Sequence, residues 1–393
     1  MYRLLTALAL FVSAPIFSWA MPVEDAVQIN MNSAESFVDR REVVSIAVAA
    51  ELTQSSDLGS TPYGIQLKRG VELALAEAQT KLLNSNLKIE LKEFDSSGLA
   101  AEDVLQSDVK AVIGHLFSSE ALVAAGIYEN GPLMFVSPGA TADQMQFMGD
   151  HVVSTVFNNL EQARMLVEAA NEKKLKKAAV ISVKDCPYCE NLTLHFGVES
   201  RRTDLGEIEV QHILSDDEDL GSKLDIEKLK EADLIFLPNY EAINARIIHF
   251  LHSKGVRPDY YMGGDGWGLT SDVFRELVKD VNFKAICLGY WSPRLKEKMA
   301  ADFSARFQAK YSIVPSDSSV LAFDGMNRLI EILLKSERPV TRESLLKAKD
   351  EVKVSDGALG KIENKEWVIS RPYVILEYNG LEVIETTVKR TEL

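Results

Sequence analysis

Two patterns of apolar residues alternate along this chain. Short apolar runs rich in β-branched residues are separated by longer stretches whose apolar positions recur every three or four residues. The first pattern predicts buried strands and the second predicts amphipathic helices. Val43–Ala50 reads as a buried strand, and Glu51–Tyr63, rich in Ser, Thr, Gly and Pro, as a loop. A helix follows with Leu67, Val71, Ala74, Leu75 and Ala78 on one face, and then a strand at Leu87–Phe94. The thirty residues Val112–Thr141 read as one βαβ unit with two loops, Gly114–Ser119 after Ala111–Ile113 and Ser137–Thr141 after Leu133–Val136.

From Asn159 the pattern restarts. Glu161–Glu172 is helical, and Ala178–Val183, Ile208–Ile213 and Leu234–Leu237 are strands. Ile243, Ile247, Phe250 and Leu251 share a helix face that Gly255 stops, and Asp259–Met262 is a short strand ended by the Gly-rich stretch Gly263–Gly268. Two successive β/α arrays imply an α/β protein with two parallel sheets and helices on both faces of each. After Ala285 the order changes. Ser292–Tyr311 and Val320–Leu334 read as long helices, and strands follow from about Val354, the clearest at Tyr373–Tyr378. A helical return followed by strands suggests that the chain crosses between the two lobes again.

The amino terminus reads as an export signal. Arg3 is the only charge before Glu24, Leu4–Ile16 is apolar, and Ser18-Trp19-Ala20 offers a small-residue cleavage site. That predicts a signal peptide over 1–20, a flexible extension over 21–41, and a periplasmic protein without a lipid anchor. About 370 residues remain, which favours two domains. The formal net charge is −15, and −16 without Arg3. Such an acidic chain argues against nucleic-acid binding, which wants a basic stripe.

Candidate chemistry lies in the loops after the strands, where open α/β sheets bind ligands. Ser118, Ser119 and Thr141 offer hydroxyls and backbone N–H groups that suit a carboxylate, and they equally suit caps and turns. Asp265, in the Gly-rich loop, is either the acceptor for a ligand ammonium or a solvated turn residue. Glycines there would let backbone approach a ligand. Hydroxyl donors on one lobe and a carboxylate on the other would hold a zwitterion. Tyr63, Tyr188 and Tyr240 fall where they either line the inter-lobe cleft or pack half-buried. Cys186-Pro187-Tyr188-Cys189 is a C-x-x-C that could be a structural disulfide, a free pair or a redox motif, and Cys287 reads as a buried thiol. His249 and His252 lack further ligands at a telling spacing, Asp216–Asp219 lacks the oxygen spacing of a calcium loop, and no cofactor fingerprint is present. No metal and no cofactor are expected.

These segments resemble the type I periplasmic binding proteins of the leucine/isoleucine/valine-binding group. The run Val112–Thr141, with VIGHLFSS and SPGAT, carries the likeness most closely, and it extends more weakly from about Val43 to Lys361. The resemblance implies two Rossmann-like lobes joined by a three-segment hinge, with the ligand between them. It implies an N-terminal lobe over 42–157 and 290–357, and a C-terminal lobe over 158–289 and 358–393. By the same resemblance Ser118 and Thr141 are carboxylate-binding hydroxyls, the Gly139 carbonyl and Asp265 take the ligand ammonium, and Tyr63, Tyr188 and Tyr240 line the cleft. Phe117 stands where some members have a disulfide cysteine, Asp265 replaces a Glu, and Trp267 is placed to narrow the pocket. The expectation is a non-enzymatic, monomeric solute-binding protein that passes an amino acid or similar small solute to an ABC-type membrane permease. A soluble sensor subunit for a membrane receptor and, less well supported, a thiol–disulfide oxidoreductase using Cys186 and Cys189 are the alternatives.

Overall fold

In the computed structural model the described residues are 41–52, 62–95, 100–217, 219–365, 368–380, 382–385 and 388–391. The signal peptide and most of the extension read from the sequence lie outside them, as does most of the loop before Tyr63.

The first array is β1 (Glu42–Ala50), α1 (Tyr63–Glu77), α2 (Gln79–Asn84), β2 (Leu87–Asp95), α3 (Ala100–Gln106), β3 (Ala111–Gly114), α4 (Ser118–Tyr128), β4 (Met134–Ser137) and β5 (Val152–Ser154). Its five strands form a parallel sheet in the order β2-β1-β3-β4-β5. Residues 44–50 of β1 and all of β3 and β4 are buried, as strands covered on both faces must be.

The second array is α5 (Asn159–Glu172), β6 (Ala178–Val183), α6 (Pro187–Ser200), β7 (Glu209–Ile213), α7 (Ile226–Lys230), β8 (Leu234–Phe236), α8 (Glu241–Ser253), β9 (Tyr260–Gly263), α9 (Asp272–Leu277) and β10 (Ala285–Gly289). Helix α8 ends where the sequence predicts, with Gly255 at φ +76°.

The chain then returns to the first sheet through α10 (Lys298–Tyr311), α11 (Asp317–Lys335) and α12 (Arg342–Glu351). Helix α10 begins six residues later than the apolar pattern suggests, after a turn at Pro293-Arg294. Helix α11 lies against α1 so closely that a Cβ on Gly70 would sit 2.1 Å from the Ser319 carbonyl oxygen. The strands β11 (Val354–Gly357), β12 (Gly360–Lys365) and β13 (Val368–Ser370) make a small antiparallel sheet. The chain finally re-enters the second sheet as β14 (Pro372–Tyr378), antiparallel to β10, with β15 (Val383–Glu385) and β16 (Lys389–Arg390) beside it. That sheet runs β15-β14-β10-β9-β8-β6-β7.

The three passages between the sheets meet around Arg371, which is 1% exposed. Its Nη2 lies 2.9 Å from Asp324 Oδ2 on α11, and its Nη1 donates to the Thr155 carbonyl at 2.8 Å. Its guanidinium also lies 4.5 Å from the ring centre of Tyr290. Thr155 follows β5, Tyr290 follows β10 and Arg371 precedes β14, so one side chain holds all three passages. Phe157 packs between Tyr290 (5.1 Å) and Tyr373 (5.9 Å) beside it.

Candidate functional site

The parallel strands of each sheet reverse their order once, between β1 and β3 in the first and between β6 and β8 in the second. Loops on either side of such a point diverge and leave a crevice at the carboxyl ends of the strands. Tyr63 opens α1 after β1, and Phe117 precedes α4 after β3. Tyr188 opens α6 after β6, and Tyr240 caps α8 after β8. These four rings form one chain. Tyr63 meets Phe117 edge-on at 6.1 Å, Phe117 meets Tyr240 edge-on at 5.0 Å, and Tyr240 stacks on Tyr188 at 5.2 Å. The loops of the two sheets are therefore in contact. The Ser118 backbone N–H faces the Tyr240 hydroxyl, and the Tyr63 hydroxyl faces Glu241 and Ser271. At the rim, His195 of α6 hydrogen-bonds Asp143, whose backbone N–H donates to Asn191 at 3.0 Å.

Asp265 sits at the start of a short 3-10 turn after β9. Its backbone N–H donates to Gln162 Oε1 at 3.2 Å, and the Gly266 N–H donates to the Tyr188 hydroxyl at 3.0 Å. Gln162 and Tyr188 also face its carboxylate, yet Oδ1 is sealed from solvent with no hydrogen-bond partner. Burial pushes the carboxyl up to about 6 against those two donors. Other carboxyls nearby move the same way. Burial raises Glu241, lifts Glu120 to about 7 with Glu51 adding to it, and lifts Asp317 to about 7 with Asp265 contributing. None of the groups acting most strongly on these four is a lysine or an arginine. A desolvated carboxyl of this kind favours a cation beside it.

The sequence-derived candidates divide. Ser118 is buried, and its Oγ accepts from the Ala142 N–H at 3.2 Å, tying the two first-sheet loops together. Thr141 is buried, and its carbonyl accepts from the Asn159 N–H at 2.9 Å. Gly139 is half-buried under Leu116, whose Cδ1 lies 2.6 Å from where a Cβ would be. Ser119 is exposed on the outer side of the helix start, apart from the other candidates. His115, in the same loop, turns inward at φ +51° to bond the Tyr128 hydroxyl at 2.9 Å.

One expectation about the Gly-rich loop needs correction. Trp267 does not narrow the cleft: it is fully buried, donates from Nε1 to the Leu237 carbonyl at 2.6 Å, and packs on Phe274. The glycines of this loop are required by neighbouring side chains. A Cβ on Gly264 would lie 2.6 Å from the Tyr188 hydroxyl, and one on Gly268, at φ +58°, 2.3 Å from Glu241 Oε2. Tyr188 itself is 2% exposed and stands behind Tyr240, where it supports the Asp265 loop.

Phe117, Glu241 and Gln162 join the cluster without having been singled out as ligand-facing. Glu241 follows Tyr240 directly, so a carboxylate at the first position of a helix after a buried strand was a readable signal. Gln162, a polar residue on the apolar face of α5, was another. Cys186 and Cys189 form a disulfide at the start of α6, with Cys189 buried. His252 is half-buried against Tyr261. Among the described residues no group of three or more His, Cys, Asp or Glu is placed to hold a metal.

The family model for the periplasmic binding proteins matches residues 45–380. Leu/Ile/Val-binding protein homolog 3 of Brucella melitensis is 23% identical over 235 residues, 58% of this chain and 62% of that protein. The Leu/Ile/Val-binding protein of Escherichia coli is 23% identical over 212 residues, 52% of this chain and 57% of that protein. The chain thus spans about six tenths of the length of the curated relatives it matches. Among solved structures, the leucine-binding protein LivK of Thermotoga maritima superposes with a TM-score of 0.75 at 20% identity, over 88% of this chain and 98% of the other. The isoleucine complex of LivJ from Streptococcus pneumoniae gives 0.72 at 20%, over 89% and 100%. A 4-hydroxybenzoate complex of a solute-binding protein from R. palustris gives 0.73 at 16%, over 89% and 97%. At these identities the likeness establishes the fold.

Proposed function

For this chain, which belongs to the periplasmic binding protein family, we propose capture of a small solute bearing an ammonium group, an amino acid in the first instance, by closure of two lobes. The solute is then delivered to an ABC-type membrane permease. The relatives named above are binding proteins rather than enzymes, and the family works outside the cytoplasm. The observation that carries the ligand class is Asp265, whose Oδ1 is sealed and unpartnered beside Tyr188 at the second switch point. Buried polar atoms are nearly always hydrogen-bonded, so this oxygen is a place for a ligand N–H. Ser118, with its N–H at the start of α4, and Thr141 are the counterpart for a carboxylate.

The same observation favours an amine over a bare aromatic acid. A benzoate without a hydroxyl has no donor for Asp265, and no benzoate brings a positive charge to it. Tyr63, Phe117 and Tyr240 supply the walls for the ligand's side chain. Closure would bring Asp265 and Tyr240 onto a ligand first held by the first-sheet loops.

The test is a thermal-shift screen of L-amino acids, amides and aromatic carboxylates, followed by calorimetry on the hits. A ligand that binds only the folded state raises the melting temperature. An amino acid should bind, and Asp265→Ala should weaken it by about 10- to 150-fold, the value of one charge-assisted hydrogen bond. Amino-acid affinity unchanged in Asp265→Ala, or no amino acid or amide binding at all, would defeat the proposal.

A further inference from the structure

A second site stands apart from the aromatic cleft. Between the edge strand β5, helices α11 and α12 and the small sheet lies a cavity of about 330 Å³. That is within the range of ligand pockets, roughly 300–1,000 Å³. Ala142, Met145, Val153 and Ile369 give it apolar walls. Arg328 of α11 lines it at 3% exposure, and its Nε and Nη1 have no hydrogen-bond partner.

An unpaired buried guanidinium is among the least stable arrangements a protein can keep. Arg371, the other buried arginine described here, shows the ordinary solution: a carboxylate, a carbonyl and an aromatic face. Arg328 has no such set. Burial alone pulls it down to about 10, with no acidic group acting on it. Asp143, Asp150 and Asp350 also border the cavity, but Asp143 is engaged by His195, and Asp150 and Asp350 are exposed. Lys349 and Lys353 border it as well, and Asn364 adds an unpartnered Oδ1.

We propose that this cavity is a second ligand site, for a small apolar monocarboxylate whose head group is held by Arg328 and whose tail lies against Met145, Val153 and Ile369. Arginine suits the task because its fork matches a carboxylate in two parallel hydrogen bonds. Thr141 and Ser154 line the same cavity. Its occupant therefore touches the back of the Ser137–Thr141 loop and the first passage between the sheets. The proposal does not depend on the ligand assigned to the cleft.

Calorimetry on the full chain with hexanoate, benzoate and acetate tests it. Hexanoate and benzoate should bind wild type and Asp265→Ala equally, and acetate at least about tenfold more weakly for want of a tail. Arg328→Leu and the cavity-filling Gln146→Trp should each lower hexanoate affinity at least about tenfold, with Arg328→Lys intermediate. Without acid, Arg328→Leu should melt no lower than wild type, because it removes an uncompensated charge. Absence of binding to wild type overturns the proposal, as does affinity retained in Gln146→Trp and in the Arg328 variants. Loss of hexanoate binding in Asp265→Ala would assign it to the cleft and overturn the second site.

Discussion

Two aspartates of this structure are treated in opposite ways: Asp324 is fully buried, and Asp265 is half-buried with one oxygen sealed from solvent. Asp324, at the passages between the sheets, receives Arg371 at 2.9 Å on one oxygen and the Ala358 N–H at 2.7 Å on the other. Asp265, in the cleft, keeps one oxygen without any partner. A carboxylate completed by its own chain is part of the scaffold. One left incomplete in a crevice between two sheets costs stability that only a ligand returns. The difference separates structure from function more sharply than burial does.

Breaking the completed pair should have the largest effect. Arg371→Met leaves Asp324 buried alone and removes the hydrogen bond to Thr155 and the contact with Tyr290. A loss of about 3–5 kcal/mol in urea unfolding is expected, whether or not ligand is present. If the loss is under about 1 kcal/mol, the passages are held by their aromatic packing instead.

The incomplete carboxylate should behave the other way round. Asp265→Ala should leave unfolding in the absence of ligand within about 1 kcal/mol of wild type, because the burial cost of the carboxyl offsets its contacts with Gln162 and Tyr188. The same variant should lower the stabilisation that a saturating amino acid gives by about 1.5–3 kcal/mol. A large loss without ligand would make Asp265 a structural residue like Asp324.

The smallest effect concerns pH. Asp265 is raised to about 6 in the folded protein. A carboxyl raised on folding contributes stability below its unfolded value, and that contribution is lost as pH rises through about 6. Ligand affinity should run in reverse, since the ammonium needs the ionised form. Amino-acid affinity should fall by up to about tenfold per pH unit below 6, and Asp265→Asn should flatten that dependence. A flat affinity profile in wild type between pH 5 and 7 would mean that the ligand does not meet this carboxylate.

Much of this architecture was legible in one dimension. The strand at Val43–Ala50, the βαβ unit at Val112–Thr141, the restart at Asn159 and the stop at Gly255 all follow from periodicity, which depends on neighbours a few residues away. The departures have a common origin. Trp267 falls in a short turn and Tyr188 in the first turn of a helix, where no period yet assigns a face, and each turned out to fill core or support space. Phe117 was legible only as a residue in place of a cysteine, and its place between Tyr63 and Tyr240 depends on contacts from three separate loops.

The order of residues therefore determined the alternating elements, the family resemblance and the identity of most polar groups available to a ligand. Those properties are local, and apolar spacing and turn chemistry encode them directly. The tertiary structure alone decided strand order, and with it the switch points that bring Tyr63, Phe117, Tyr188 and Tyr240 into one chain. It also decided which charges are answered: Asp324 by Arg371, forty-seven residues away along the chain, and Asp265 and Arg328 by nothing complete. Partners that distant in sequence are chosen by packing, because a buried charge responds to the atoms folded around it and not to its neighbours along the chain.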